Sequence, residues 1–537
     1  MSTQPHSAGK DAETSATYAA DGETPSPADE TKATVGQVGR RRKPSLRERG
    51  VAILVVVVTT AIIGATAADF AYTAQIELEA AINSRDQLRA EYLARSGMQL
   101  GQLLTAVQDG LQGMLQMLPP EMRDAIVITD YAGFLAKALS GDAEAREGLG
   151  GLVGIDLKNV EGLGTPQGTN LDLVITSEEG KYPINCGSGV NPYAQPQRNL
   201  YYLLYNLIRP QRYDRMFNTV DRDGIQITRE DLPTAIIDWT DVDPLRFNPM
   251  GPASASEERY DRGNDRYEAH NHYLDTIEEL NLVRGVSEDF WGAFGEMFTA
   301  YGGSSAGNGT DCRVLASAIE ATSWPLVAAM IAASAADRNA VFDPNTAIVA
   351  QQVTGLLKTG LPALRTLSGQ LSIPKCQVDT KQCPTVTTPP PSTPAPRIVP
   401  SARPGAPPGG GGQTSSDAVE LLSNLICSQA LSQVPQLADS LASMTGGSAP
   451  PKPTTGLRSI PMCPGALAQY LRDRGSGTGN PRRYYRVDST GIVQRGASRT
   501  TQVHIRGVWD TRRANFNPLC TGHPSCTRGT WLYYRID

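Results

Sequence analysis

The sequence predicts an α+β protein: a long N-terminal helix packed on an antiparallel sheet, with a large inserted α-helical domain. Three observations predict it. A charge-free apolar run from Val51 to Ala68 continues into apolar residues at helical spacing as far as Pro119. Strand-like alternation occurs in two distant places, residues 171–185 and 484–536. Between them, from Leu200 to Leu367, helical periods dominate.

The long helix comes first. Arg40, Arg41, Arg42, Lys43, Arg47 and Arg49 precede the 18-residue apolar run. At 1.5 Å per residue that run is about 27 Å long, close to the hydrocarbon thickness of a bilayer. Basic residues before it place the N-terminus in the cytoplasm. Apolar residues then recur at Ile76, Leu78, Ile82, Leu88, Tyr92, Leu100, Leu104, Val107 and Leu111, one face of a helix that Pro119-Pro120 ends.

The strands follow. LDLVIT (171–176), the turn Glu178-Glu179-Gly180-Lys181 and Tyr182 to Asn185 predict a hairpin. Tyr484 to Asp488, Gln502 to Trp509 and Thr530 to Ile536 predict closing strands, with turns at Ser489-Thr490-Gly491 and between Cys520 and Gly529. These strands have little to pack on unless they join the early hairpin and cover the long helix, which makes the helical block an insertion.

The chain divides accordingly. Residues 1–39 are a tail too polar to bury a core, 40–50 a basic leader and 51–118 the helix. Residues 119–200 open the α/β domain and 201–370 are the helical insert. A Pro/Gly-rich linker spans 371–415, densest at 385–412, a short helical insertion spans 416–455, and 456–537 close the sheet.

With 537 residues, a net charge of -6 and 19% charged residues, the composition argues against a nucleic-acid partner, which selects a basic surface. Abundant Gly (52) and Pro (38), with eight cysteines and no C-x-x-C, suggest a loop-rich chain in an oxidising compartment. Cys376/Cys383 and Cys520/Cys526 enclose short turn-rich loops and are expected as local disulfides.

Several motifs resemble one family. Arg47-Glu48-Arg49-Gly50-Val51-Ala52-Ile53-Leu54-Val55 looks like a type IV prepilin leader junction. YLARSG (92–97), EGKYPIN (179–185), IDWTDVD (237–243) and DTIEELNLVRGV (275–286) resemble segments of the K-type minor pseudopilin of bacterial type II secretion. The matches span about residues 47 to 300. The long leader, the linker and the later cysteines depart from that pattern.

The resemblance implies a pseudopilin fold, cleavage between Gly50 and Val51 by a prepilin peptidase, and methylation of Val51. It places a single-pass anchor in the bacterial inner membrane, with the bulk of the chain in the periplasm. Val55 stands where most pilin-like proteins carry Glu, an absence characteristic of the K type. The implied role is at the pseudopilus tip, initiating assembly with I- and J-type minor pseudopilins and other pseudopilins. The tip would contact secretion substrates or the outer-membrane channel, so export across the outer membrane is the implied outcome.

Asp238, Asp241 and Asp243, with Glu257 and Glu258, are the strongest candidate metal ligands. Clustered carboxylates repel one another, and Ca²⁺ accepts such oxygens at loose geometry. The resemblance places calcium in this general region. Thr219 to Glu230 has a degenerate EF-hand spacing, read first as an Asp-Gly turn.

Enzyme signals are poor. Gly303-Ser304-Ser305-Ala306-Gly307 fits a nucleophile elbow in letters, but a helix precedes it where the motif needs a strand. His270 and His272 share a side only if extended, and no phosphate-binding P-loop is present. The expectation is a chain without catalysis. Three rivals stay open: Sec cleavage after Ala65-Thr66-Ala67, a plain single-pass anchor, and a minor pilin or adhesin-type binding module of a type IV pilus-like system.

Overall fold

The computed structural model describes residues 46–114, 127–141, 144–148, 168–188, 195–218, 226–251, 267, 269–301, 312–337, 346–359, 375–379, 383, 416–428, 460–473, 482–496, 499–511 and 529–537. It falls into two units, one ending at Glu79 and one beginning at Ala80. Helix α1 is Leu46–Met114. Within the first unit its residues from Gly50 onward are exposed, including Val51, Ile53, Leu54, Ile62 and Ile63.

The second unit is α+β. After a short 3-10 turn, α2 (Ala132–Leu139) leads to strand β1 (Thr169–Ser177). The closing strands are β6 (Tyr484–Arg495), β7 (Arg499–Asp510) and β8 (Thr530–Ile536), in the spatial order β1-β6-β7-β8 with every pair antiparallel. The expected joining of early and late strands is therefore present. The register sets Leu171, Gly491 and Val503 in one cross-strand row, and Leu173, Ser489 and Ile505 in the next. Leu171, Leu173, Val503 and Ile505 form one core with Ala90, Ala94, Met98 and Leu104 of α1 and Ala132 and Ala136 of α2.

The insert lies in sequence between β2 (Tyr182–Pro183) and β5 (Leu471–Arg472). It contains α3 (Gln195–Ile208), α4 (Asp231–Thr240), α5 (Glu288–Phe294), α6 (Trp324–Ser334), α7 (Thr346–Thr359) and α8 (Ser416–Cys427). A larger core of its own gathers Leu200, Leu204, Ile236, Met330, Val353 and Leu422. In α6, Leu326, Val327, Met330 and Ile331 are all buried, as expected of a helix apolar all round. Two short parallel pairs tie its ends: β2 with β3 (Phe298–Thr299), and β4 (Val314–Leu315) with β5.

Three local expectations are corrected. The hairpin at 171–185 does not form: β1 pairs with β6, and β2 pairs with β3. The intervening Glu178–Gly180 is a 3-10 turn whose Glu178 is buried against partners from elsewhere. Next, Ser489-Thr490-Gly491 is no turn. Strand β6 runs through it, because Gly491 is where α1 crosses the sheet: a Cβ there would overlap the Ala90 carbonyl oxygen.

The face of α1 that meets the sheet also differs from the predicted stripe. It consists of Ala90, Ala94, Gly97, Met98, Gly101 and Leu104, whereas Leu88, Tyr92 and Val107 are exposed. A Cβ at Gly97 would overlap Ser489 Oγ, and one at Gly101 would lie 2.7 Å from Val487 Cγ1. Backbone proximity, not side-chain bulk, selects this face. Within DTIEELNLVRGV the residues Ile277–Leu282 form a 3-10 helix closed by a Thr276/Glu279 capping box.

The disulfides are Cys186–Cys312, Cys376–Cys427 and Cys383–Cys463. The expected local pair Cys376/Cys383 is thus overturned: Cys376 is held by Cys427 at the end of α8, and Cys383 by the buried Cys463. Cys520 and Cys526 lie outside the described residues, as do the linker at 384–415 and the helix end expected at Pro119.

Candidate functional site: an apolar helix rooted on a sheet, and its clasp

Among the described residues, one helix is long and apolar enough to cross a membrane. Its hydroxyls are satisfied within it: Thr59 Oγ1 donates to the Val55 carbonyl at 2.9 Å and Thr60 Oγ1 to that of Val56 at 2.8 Å. Such internal bonding is what a hydrocarbon environment demands. Gly50 and Val51 lie inside the helix, near its start, and Val55 is 51% exposed. A Cβ at Gly50 would touch nothing within 4 Å. A helical glycine costs about 1 kcal/mol relative to alanine, and no packing explains this one.

From Ala90 onward the same helix is rooted. The stripe Ala90, Ala94, Gly97, Gly101 repeats at intervals of four, three and four, so its members share one face. That face sits on β6, with Gly491, Ser489 and Val487 beneath it in order. The spacing of these small residues is a signal that a reading of the bulky residues passes over. Their partner Gly491 was not legible, because glycine in a strand-like segment reads as a turn.

The EGKYPIN segment (179–185) and the Glu178 before it hold sheet and insert together. Glu178 is fully buried, with its Oε1 2.7 Å from Arg486 Nε and 3.0 Å from Lys181 Nζ. Burial pushes its carboxyl up, yet the charges of Lys181 and Arg486 and a hydrogen bond from Thr299 outweigh that and hold it below the usual carboxylate value of 4.5. Arg486 Nη1 also reaches Glu296 Oε2 at 2.8 Å, although that carboxylate is 74% exposed. Glu179 Oε1 accepts from the Arg483 backbone N–H at 2.8 Å, and Arg483 in turn clamps Asp510 through two hydrogen bonds, of 2.8 and 2.7 Å.

Asn185 completes the clasp. Its Nδ2 donates to the carbonyls of Leu274 (2.9 Å) and Ala300 (2.7 Å), and its Oδ1 accepts from Leu274 N–H at 2.7 Å. Gly180 packs so closely on the Ala318 carbonyl that a Cβ would overlap it. Glu178, Glu179 and Asn185 each fasten this segment to a distant one.

The acidic segment sits at the end of α4. Asp238 and Asp241 are buried and Asp243 is half-buried. Asp238 Oδ1 accepts from the Phe247 N–H at 2.7 Å, and Asp243 Oδ1 from the Leu245 N–H at 2.9 Å, so both brace the loop that follows. Glu257 and Glu258 lie outside the described residues. Among the described residues no group of three or more His, Cys, Asp or Glu side chains is arranged to hold a metal. These three aspartates therefore do not by themselves fit a calcium site.

His270 and His272 fall in an irregular segment, with Asn271 between them at a φ of 45°; their ring centroids are 5.8 Å apart, and His270 Nδ1 lies 3.6 Å from Glu279 Oε2. Ser305 and most of the EF-hand-like stretch from Thr219 lie outside the described residues.

No protein-family model matches the chain, and no curated protein matches it. Among solved structures, a similar chain occurs in "The Crystal Structure of the GspK-GspI-GspJ complex from enterotoxigenic Escherichia coli Type 2 Secretion System". It shares 11% identity at a TM-score of 0.33, covering 76% of this chain and 93% of that one.

Proposed function

We propose that this chain is a membrane-anchored minor pseudopilin of the K type, a filament subunit rather than an enzyme. The observation that carries the reading is α1: one helix whose first part is bare and apolar and whose later part is seated on an antiparallel sheet by small residues. A helix built this way can be stored in a bilayer and later packed among like helices, while the sheet and insert remain in water. The motifs at 92–97, 179–185, 237–243 and 275–286 support the K type in particular.

In this reading a prepilin peptidase cuts after Gly50, and Val51 becomes the new N-terminus. The chain resides in the bacterial inner membrane, N-terminus cytoplasmic, with its bulk in the periplasm. At the pseudopilus tip it joins I- and J-type minor pseudopilins, starts assembly with other pseudopilins and supports export of secretion substrates. Calcium belongs to the same reading, with Glu257 and Glu258 completing the acidic set.

The N-terminal residue of the mature protein tests it. A start at Val51 supports the reading. A start at Ala68 means Sec cleavage, and an intact Met1 leaves a plain anchor; either result overturns it. Co-purification with I- and J-type partners separates it from a minor pilin or adhesin-type module, which no specific observation favours.

A further inference from the structure

The order of the described cysteines along the chain is 186, 312, 376, 383, 427, 463. The first two pair as neighbours, but the other four pair crosswise, Cys376 with Cys427 and Cys383 with Cys463. Their separations are 51 and 80 residues, whereas Cys376 and Cys383 stand seven apart. In a chain not yet folded, closure probability falls roughly as the three-halves power of loop length, so Cys376 meets Cys383 about 20-fold more often than Cys427. In a chain oxidised from its N-terminal end, Cys383 also arrives first.

The folded arrangement opposes that outcome. The Cys376 backbone N–H donates to Asn424 Oδ1 at 3.1 Å, on α8, the helix that carries Cys427. Cys376 and Cys427 both pack on the core of the insert. Cys463 is buried and its N–H donates to the Ser334 carbonyl at the end of α6. The native pairs join segments that are distant in the chain and meet only where the insert core is packed.

We infer that this chain is a substrate of a dithiol disulfide isomerase, which resolves a local Cys376–Cys383 bond into the crossed pairs. A protein disulfide donor first oxidises the thiols and is itself reduced. From the pairs Cys376–Cys383 and Cys427–Cys463, the isomerase thiolate attacks Cys376 Sγ and releases Cys383 as thiolate. Cys383 attacks Cys463 Sγ, forming one native bond and releasing Cys427. Cys427 attacks Cys376 Sγ in the mixed disulfide, forming the second native bond and freeing the isomerase thiolate. Two disulfides are present before and after, so no net electrons move.

The test maps disulfide-linked peptides by mass spectrometry, after alkylation and unreduced digestion of the full chain. The chain is produced in bacterial hosts with an active periplasmic dithiol isomerase or with its cysteines replaced by serine. The expected result is both crossed pairs with the active enzyme. Without it, the crossed pairs are lost in favour of a Cys376–Cys383 peptide, while Cys186–Cys312 is unchanged. Crossed pairs at equal yield in both hosts overturn the inference, as does Cys376–Cys383 in the mature protein. Where the chain fails to accumulate, the reduced full chain is oxidised in detergent with a glutathione buffer, with and without purified isomerase. An early Cys376–Cys383 peptide cleared faster by the enzyme supports the inference. Direct formation of the crossed pairs, unaffected by the enzyme, overturns it.

Discussion

The carbonyl oxygen of Ala90 on α1 occupies the place where a side chain at Gly491 on β6 would begin. Helix and strand touch there backbone to backbone. Forcing a methyl group into such a contact shifts one element against the other, at about 1–3 kcal/mol. We therefore expect Gly491→Ala to lower the stability of the full chain by that amount in thermal melts followed by circular dichroism. Gly64→Ala, where a Cβ meets nothing within 4 Å inside α1, is the control and should melt no lower than the parent. A Gly491→Ala chain that melts no lower than the parent would remove the close-approach argument.

Glu178 links stability to pH. Its folded carboxyl titrates below the ordinary 4.5, so the folded state holds fewer protons than the unfolded one in that region. The stabilisation is present above about pH 4.5 and fades as pH falls further. Arg486→Met removes one partner of this buried carboxylate, a change of the class that costs about 3–5 kcal/mol. In urea melts the deficit of the variant should be full at pH 7 and shrink below pH 4.5. A deficit independent of pH would show that Arg486 acts through packing alone.

Calcium is testable without any secretion assay. If Asp241 and Asp243 join Glu257 and Glu258 around an ion, calcium at a hundred times its dissociation constant should stabilise the chain by about 2.7 kcal/mol. Asp241→Asn with Asp243→Asn should abolish that increment. A chelator-washed chain that melts identically with and without calcium rules the site out.

Val55→Glu probes the proposed tip position. An acid there could pair with a neighbour's N-terminus in lipid, where such pairs are valuable. If the proposed tip role holds, the variant shifts from the tip into the body of the filament, measured by site-specific cross-linking to I- and J-type partners. Unchanged cross-links and unchanged secretion would mean that the missing acid does not define the position.

Much of this was legible in the sequence because it depends on neighbours in the chain. The apolar run after Arg49, the helical spacing beyond it, the alternation in 484–488 and 502–509, and the excess of helical periods in 200–367 each reflect local covalent order. They were enough for the fold class and for the expectation that early and late strands share a sheet. What stayed hidden depends on partners far away. The 171–185 hairpin failed because Ile175 pairs with Val487, and Glu178 with Arg486, across some three hundred residues. The α1 stripe was misplaced because bulky Leu88 and Tyr92 advertise burial, while the tight crossing needs Ala90, Ala94 and Gly97.

By itself, then, the sequence determined the long apolar helix, the helical block and the general places of the early and closing strands, since periodicity and charge are properties of the chain. Tertiary structure alone decided which cysteines join, which glycines are crossings rather than turns, and that the acidic side chains of 238 and 243 brace a loop. These depend on close approach between distant segments, and a linear pattern of residue types does not encode which segment arrives.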